Sequence, residues 1–279
     1  MGSPGEKVEP MNAVVNDIEA KHRALWALGD YAAIATEVVA PLGQVLVTAC
    51  GIREGDRVLD VAAGTGNAAI PAAATGAQVV ASDLCPQLVQ RGRAQSAAQG
   101  AVLDWREANA EALPFDDDEF DVVMSCIGVM FAPHHQSAAD ELIRVCRPGG
   151  RIGVISWTPE GFIGQLFATM KPYVPAPPAG ASAPPLWGSE PHVRALLREE
   201  ATDVATERRA LPVFAFADGI AFREYFKANY GPTIAAYRGI AEDPDRVAAL
   251  DADIAALADH FLRRGSMDWE YLLLTARKR

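Results

Sequence analysis

Strands alternating with helices between residues 57 and 157 predict a doubly wound, mostly parallel α/β sheet. Three features carry that expectation. Val58-Leu59-Asp60-Val61 reads as a short buried strand that runs into the turn Ala62-Ala63-Gly64-Thr65-Gly66 and then into an alanine-rich helix. Phe120 to Cys126 is a nearly unbroken apolar run, as strands are when helices cover both faces of a parallel sheet. Pro148-Gly149-Gly150 stops a helical pattern and turns the chain into another apolar strand, Arg151 to Trp157.

In chain order, residues 1–10 are small, polar and proline-containing and read as a tail. Met11 to Gly51 carries apolar residues at helical spacing, with a break at Gly29-Asp30 and a bend at Pro41. After the first strand, the helix behind the glycines runs to Ala74. There follow a strand (Gln78 to Ser82), a helix with proline in its first turn (Pro86 to Ala98), strands at Leu103 to Glu107 and Phe120 to Cys126, and a helix from Gln136 to Cys146. Past Trp157 the pattern changes. Residues 158–191 hold many prolines and aromatics and read as an ordered insertion with one helix, Phe162 to Met170. Helix His192 to Arg198 and strand Arg209 to Phe216 return to the sheet. A second, helical insertion spans 218–264, and Glu270 to Ala276 closes the chain as a last strand. The division this implies is a tail and helical lid over 1–56 and an α/β domain over 57–279, with both insertions on the substrate side.

The chain has 279 residues, 50% hydrophobic and 22% charged, enough to bury a large core. A formal charge of -11 repels phosphate backbones and gains nothing from an anionic membrane surface. Cys50, Cys85, Cys126 and Cys146 are widely spaced beside apolar segments, without a Cys-x-x-Cys or a neighbouring His pair. They read as reduced core residues, and no metal site is expected. No leader pattern and no apolar run of bilayer length is present. The expectation is a cytoplasmic monomer or weak homodimer whose partner is a small-molecule substrate, neither nucleic acid nor membrane.

The glycine turn is the candidate ligand site. Glycine allows the sharp bend and the close approach of a ligand, and the first N–H groups of the helix behind it favour an anionic group. Asp83, ending the next strand, can accept both hydroxyls of a ribose. Gly64-x-Gly66-x-x-Ala69 with Asp83 also satisfies a dinucleotide pattern. The motif alone therefore leaves open a nicotinamide or flavin cofactor, S-adenosylmethionine, or a turn that binds nothing. Two further features favour S-adenosylmethionine. Asp60, ahead of the glycines, would repel a pyrophosphate but suits an ammonium group. Asn109 and the Ala110 N–H, in the polar turn after the third strand, can supply the acceptor and donor that read adenine.

The glycine turn, Asn109-Ala110-Glu111-Ala112-Leu113-Pro114-Phe115, Phe120-Asp121-Val122-Val123 and Leu142-Ile143-Arg144-Val145-Cys146-Arg147-Pro148-Gly149-Gly150 together resemble the class I S-adenosylmethionine-dependent methyltransferases, in particular the type 11 group of ubiquinone/menaquinone C-methyltransferases. The full chain is also similar to actinobacterial methyltransferase-like proteins. The resemblance implies a Rossmann-like sheet of seven strands with the last antiparallel. It also implies that Asp60, Ala62, Gly64 and Gly66 line the methionine part of the cofactor, that Asp83 binds the ribose and Leu84 packs on adenine, that Asn109 and Ala110 read the adenine edge, and that Ser125 offers its carbonyl near the methionine amine. The chain departs from the family pattern in three places. Ala62 stands where Gly is usual, Asn109 where Asp is frequent, and Met130-Phe131 where many members have a His pair.

Such an enzyme would align a nucleophile in line with the sulfonium methyl, exclude water and release S-adenosylhomocysteine. His22 is the candidate base, because a lid helix can close over the methyl group. His134, His135 and Asp30 are further candidates, with the two consecutive histidines read as a solvent-exposed helix start. Trp26, Tyr31, Phe162, Trp187, Tyr225 and Tyr230 are candidate walls for a flat or apolar small substrate, against the simpler reading that they only pack. An NAD(P)-dependent oxidoreductase and a catalytically silent S-adenosylmethionine-binding protein are the alternatives.

Overall fold

The apolar runs pair into one eight-stranded sheet in the computed structural model, which describes residues 11–279 and side chains from Ile18 onward. The tail expected over 1–10 lies outside the described residues. Three helices come first: α1 (Met11–Trp26), α2 (Tyr31–Glu37) and α3 (Ala40–Cys50). Gly29 at φ +67 and Asp30, whose carboxylate caps α2 by accepting from the Ala33 N–H at 3.3 Å, make the predicted break. The alternating core follows: β1 (Arg57–Val61), α4 (Ala69–Ala73), β2 (Gln78–Asp83), α5 (Pro86–Ala98), β3 (Asp104–Glu107), β4 (Phe120–Cys126), α6 (His135–Val145) and β5 (Cys146–Trp157). The remainder is α7 (Phe162–Met170), α8 (Glu190–Leu197), β6 (Ala201–Val213), α9 (Gly219–Asn229), α10 (Gly231–Gly239), α11 (Pro244–Phe261), β7 (Leu262–Arg263) and β8 (Ser266–Lys278).

The strand order is β3-β2-β1-β4-β5-β8-β6, with the two-residue β7 paired on β8. β1 to β5 are parallel, and β8 runs antiparallel between β5 and β6. The fold class is the one expected, a doubly wound sheet with its last strand reversed. Chain order reverses between β1 and β4, and the crevice outside the carboxyl ends at such a reversal is where these sheets hold ligands.

Two strands differ from the reading of the sequence. β5 begins at Cys146, not Arg151, because Cys146 already opposes Phe120 and the register slips between Phe120 and Val122. Pro148-Gly149-Gly150 therefore lies within an irregular strand. β6 begins at Ala201, ahead of the expected Arg209. It is the sheet's edge, and its outward residues sit in water, so the stretch carries no apolar signal.

α3 packs on the sheet, with Leu42, Leu46, Val47 and Cys50 buried. Gly153 of β5 makes room for it, since a Cβ there would lie 2.1 Å from the Cys50 sulfur. The cover over the carboxyl ends is thus α1 and α2, joined by α9 and α10. Trp26 meets Phe131 edge-on at 4.6 Å and Tyr230 at 6.1 Å. Gly231 of α10 sits where a Cβ would be 2.4 Å from the Leu25 carbonyl. The four cysteines are unpaired thiols. Among the described residues no single helix is long and apolar enough to cross a membrane, and no cluster of three metal-ligating side chains occurs.

Candidate functional site

β1 delivers the glycine turn to the crevice in a strained form. Ala62 adopts φ +54, Gly64 +59 and Gly66 +94, and Ile127, just past β4, adopts +66. A β-branched residue at positive φ is an outlier. Each such residue costs about 1–3 kcal/mol and persists only where the surroundings enforce it. The Ala62 methyl is accommodated by Gly128, where a Cβ would lie 2.1 Å from the Ala62 carbonyl oxygen and 2.6 Å from its Cβ. Gly66 serves packing: a Cβ there would meet Ile70 and the Trp105 ring at 3.2 Å, and the residue does not line the cleft. Gly64 faces the cover, where a Cβ would lie 3.3 Å from the Tyr31 ring.

Two acids stand at the turn. Asp83 accepts from the Gly64 N–H and from the Cys85 N–H, both at 2.8 Å. Burial pushes its carboxyl up to about 6, with these two N–H groups opposing the rise. A carboxylate has about four acceptor positions, so Asp83 retains capacity for hydroxyl donors. Asp60 is buried at 1% exposure, and among the described residues neither carboxylate oxygen makes a hydrogen bond of good geometry. Burial raises it to about 8, opposed by the Ala69 N–H close by. The Thr65 hydroxyl of the turn is also buried and, among the described residues, unpartnered. Buried polar groups are nearly always paired, so an orphaned carboxylate and hydroxyl at a glycine turn fit a ligand that brings its own donors, such as an ammonium group.

The cleft spans about 640 Å³, counting the space at its open mouth. Asp83, Leu84, Leu88, Asn109 and Ala110 form one end, Ala62, Gly64, Ile127 and Gly128 the other, with His22, Trp26 and Tyr31 of the cover and Phe131 to Pro133 closing it. Six of the nine expected cofactor residues (Ala62, Gly64, Asp83, Leu84, Asn109 and Ala110) are thus brought together. Asp60 and Gly66 lie behind the turn. Ser125 is fully buried; its hydroxyl donates to the Val61 carbonyl at 2.7 Å and accepts from the Val129 N–H at 2.9 Å, which pins β1 to the loop after β4. The Asn109 side chain is already engaged. Its oxygen accepts from the Glu111 N–H at 2.9 Å, and its amide nitrogen donates to Glu19 of α1 at 2.6 Å.

A second, nearly filled cavity, with about 20 Å³ of room for water-sized spheres, adjoins the cleft, and Tyr31, Ile127 and Phe131 line both. Ile34, Val39, Trp157, Ile163, Phe226, Tyr230 and Trp269 complete it, and no charged side chain lines it among the described residues. Of the expected substrate walls, Tyr31 and Tyr230 line this chamber and Trp26 lines the cleft. Phe162 is buried behind it against Phe222 and Trp269. Trp187 is buried beside His135, and the Tyr225 hydroxyl donates to Glu37 at 2.7 Å.

His22 lines the cleft at its Leu84–Asn109 end and does not line the chamber. Burial holds its ring below the usual histidine range. Asp30 caps α2 and pairs with Arg91 at 2.8 Å. The reading of a solvent-exposed helix start at the two histidines needs correction. His134 is partly exposed and pairs with Glu111 at 2.8 Å, but His135 is 2% exposed and its Nδ1 lies 3.0 Å from His192 Nε2. The side chain of α8 that buries it lies far along the chain. Phe131, Ile127, Trp157, Ile163 and Trp269 went unassigned from sequence. Only Phe131 carried a signal, as the residue standing in place of a family histidine.

Residues 59–154 match the family described as a methyltransferase domain. An uncharacterized protein of Mycobacterium tuberculosis is 58% identical over 257 residues, covering 92% of this chain and 94% of that one. A demethylmenaquinone methyltransferase of Clavibacter sepedonicus is 41% identical over 104 residues, 37% of this chain and 42% of that one. Among solved structures, the YcgJ protein from Bacillus subtilis superposes with a TM-score of 0.58 at 17% identity, covering 86% of this chain and 98% of that one. A Haemonchus contortus phosphoethanolamine N-methyltransferase, in complex with S-adenosyl-L-methionine, gives 0.52 at 16% identity over 85% of this chain and 52% of that one.

Proposed function

We propose the following reaction for this chain, which belongs to the class I S-adenosylmethionine-dependent methyltransferases and takes S-adenosylmethionine as its cofactor: methylation of a small, apolar, flat metabolite that is admitted when the aromatic side chains beside the cleft part. With that family, the nicotinamide reading of the glycine turn falls away. Bound in the cleft, the cofactor supplies an electrophilic sulfonium methyl that passes in line to a substrate nucleophile. Asp83 would hold the ribose, Asp60, behind the turn, would reach the amino end through a bridging water, and Leu84, Asn109 and the Ala110 N–H would hold the adenine. No other hydrogen bond engages that N–H among the described residues.

The observation that carries the substrate class is the shared wall. The cleft, with Asp83 at its turn, and an uncharged aromatic cavity share Tyr31, Ile127 and Phe131 as walls. Once these side chains part, burying a flat ring of about 150 Å² among them contributes roughly 4 kcal/mol before the cost of parting them, while a charged substrate would meet no partner. The chain's own work is then alignment and exclusion of water. α1 and α2 act as the lid, and the segments 158–191 and 218–264 supply substrate-side walls. His22 stands away from the chamber, so no side-chain base is assigned to it.

The test is incubation of the protein with methyl-tritiated cofactor and fractionated small-molecule extracts. Label should appear in the fraction that partitions into organic solvent, in proportion to enzyme. Label confined to charged, water-soluble metabolites would contradict the proposal, and no label in any fraction would favour a silent cofactor-binding protein.

A further inference from the structure

The adenine end of the cleft holds a contact that joins two distant parts of the chain. Asn109 Nδ2 donates to Glu19 Oε1 at 2.6 Å, across 90 residues of sequence, and both residues line one small cavity with Leu84 and His22. The amide can take only this orientation. The Glu111 N–H, at 2.9 Å, can only donate to its oxygen, and the Glu19 carboxylate can only accept from its nitrogen. A second latch lies beside the first: Arg23, one turn further along α1, binds Glu107 at the end of β3 at 2.6 Å.

We infer that Asn109 is the receptor for the lid, and that Glu19 is a positioning residue which, through Asn109, sets the adenine-reading edge and couples cofactor binding to closure of α1. This rests on the cofactor reading above. A carboxylate at position 109, which could read the adenine amine by itself, would here face the Glu19 carboxylate at hydrogen-bonding distance. Two like charges so close cannot both stay ionised without driving the groups apart. Asparagine at 109 and glutamate at 19 are therefore matched, and a change at either that removes the donor at 109 or the acceptor at 19 should open the lid.

The test is calorimetric titration with S-adenosylhomocysteine at pH 8, using the full chain and the variants N109D, E19Q, E19A and the double variant E19Q/N109D. Because E19Q keeps an oxygen that accepts from Asn109, it should bind within about threefold of the parent. N109D should bind roughly tenfold more weakly or worse. The double variant should return to within about threefold, since the glutamine amide can donate to the new carboxylate. E19A should lose roughly three- to tenfold. In parallel, the ligand should protect Lys21 and Arg23 of α1 from trypsin in the parent and not in N109D. This readout also covers the case in which N109D folds poorly, because E19A must then lose the same protection. An N109D protein that binds as tightly as the parent, or a double variant no better than N109D, would overturn the inference while leaving the cofactor reading intact. Absence of binding to the parent would instead remove the cofactor reading itself.

Discussion

Replacing Asp60 with asparagine should make the protein more stable and less able to bind its cofactor. The carboxyl is buried, makes no hydrogen bond of good geometry among the described residues, and is pushed from 3.8 to about 8 by loss of water. Each factor of ten in an ionisation constant is about 1.4 kcal/mol, so holding this group ionised above pH 8 costs at most roughly 5–6 kcal/mol. An asparagine amide left equally unpaired costs about 1–3 kcal/mol. The net gain for D60N is about 3 kcal/mol at pH 8.5. The sign follows from a folded-state constant above the unfolded one. Asp60 favours folding most below pH 4, and that contribution is lost as pH rises through about 8. The parent should thus lose stability between pH 4 and pH 8, while D60N should lack that loss and match the parent near pH 5. In thermal unfolding, the gain at pH 8.5 corresponds to roughly 6–10 °C. Binding moves the other way. Losing a charge-assisted contact worth about 1.5–3 kcal/mol should weaken S-adenosylhomocysteine roughly ten- to hundredfold by calorimetry. A D60N protein that melts lower than the parent at pH 8.5 and binds the ligand normally would refute the reasoning.

Three further outcomes are expected. Ala62→Gly relieves the φ of +54 and should raise stability by about 0.5–1 kcal/mol in denaturant titration with binding retained; a loss would mean that the Ala62 methyl packs productively. Ile163→Phe should crowd the nearly filled aromatic cavity, lowering methyl transfer about tenfold or more while S-adenosylhomocysteine binds within about threefold of the parent; equal loss of both would show that cavity and cleft are one site. His135 is depressed to about 4 by burial, with neighbouring His192 adding to the effect, so its neutral form stabilises the fold fully above pH 6.5 and that support is lost as pH falls toward 4. The loss is at most about 3 kcal/mol in acid unfolding monitored by circular dichroism, and His135→Gln should abolish it.

Much of the nucleotide end was legible because its parts lie close together in sequence. Asp60, Gly64, Asp83, Asn109 and Ala110 each lie at or just past the carboxyl end of a strand, and a parallel sheet gathers strand ends on one edge. The chamber was not legible. Its walls come from α2, β5, α7, α9 and β8, and which aromatic faces inward depends on how α7 and α9 lie over β8. Phe162 and Tyr230 look alike in sequence, yet one is sealed behind Trp269 and the other lines the cavity. The Asn109–Glu19 contact and the burial of His135 by α8 are long-range packing events with no local pattern. β6 was placed late because an edge strand with one wet side offers few apolar residues.

The most direct test of the cofactor site is titration of the purified protein with S-adenosylhomocysteine at pH 8, with NADH as a parallel sample. Micromolar binding of the first and none of the second is the expected result. Binding of NADH, or of neither, would contradict the assignment of Asp60, Asp83 and Asn109 to an S-adenosylmethionine site.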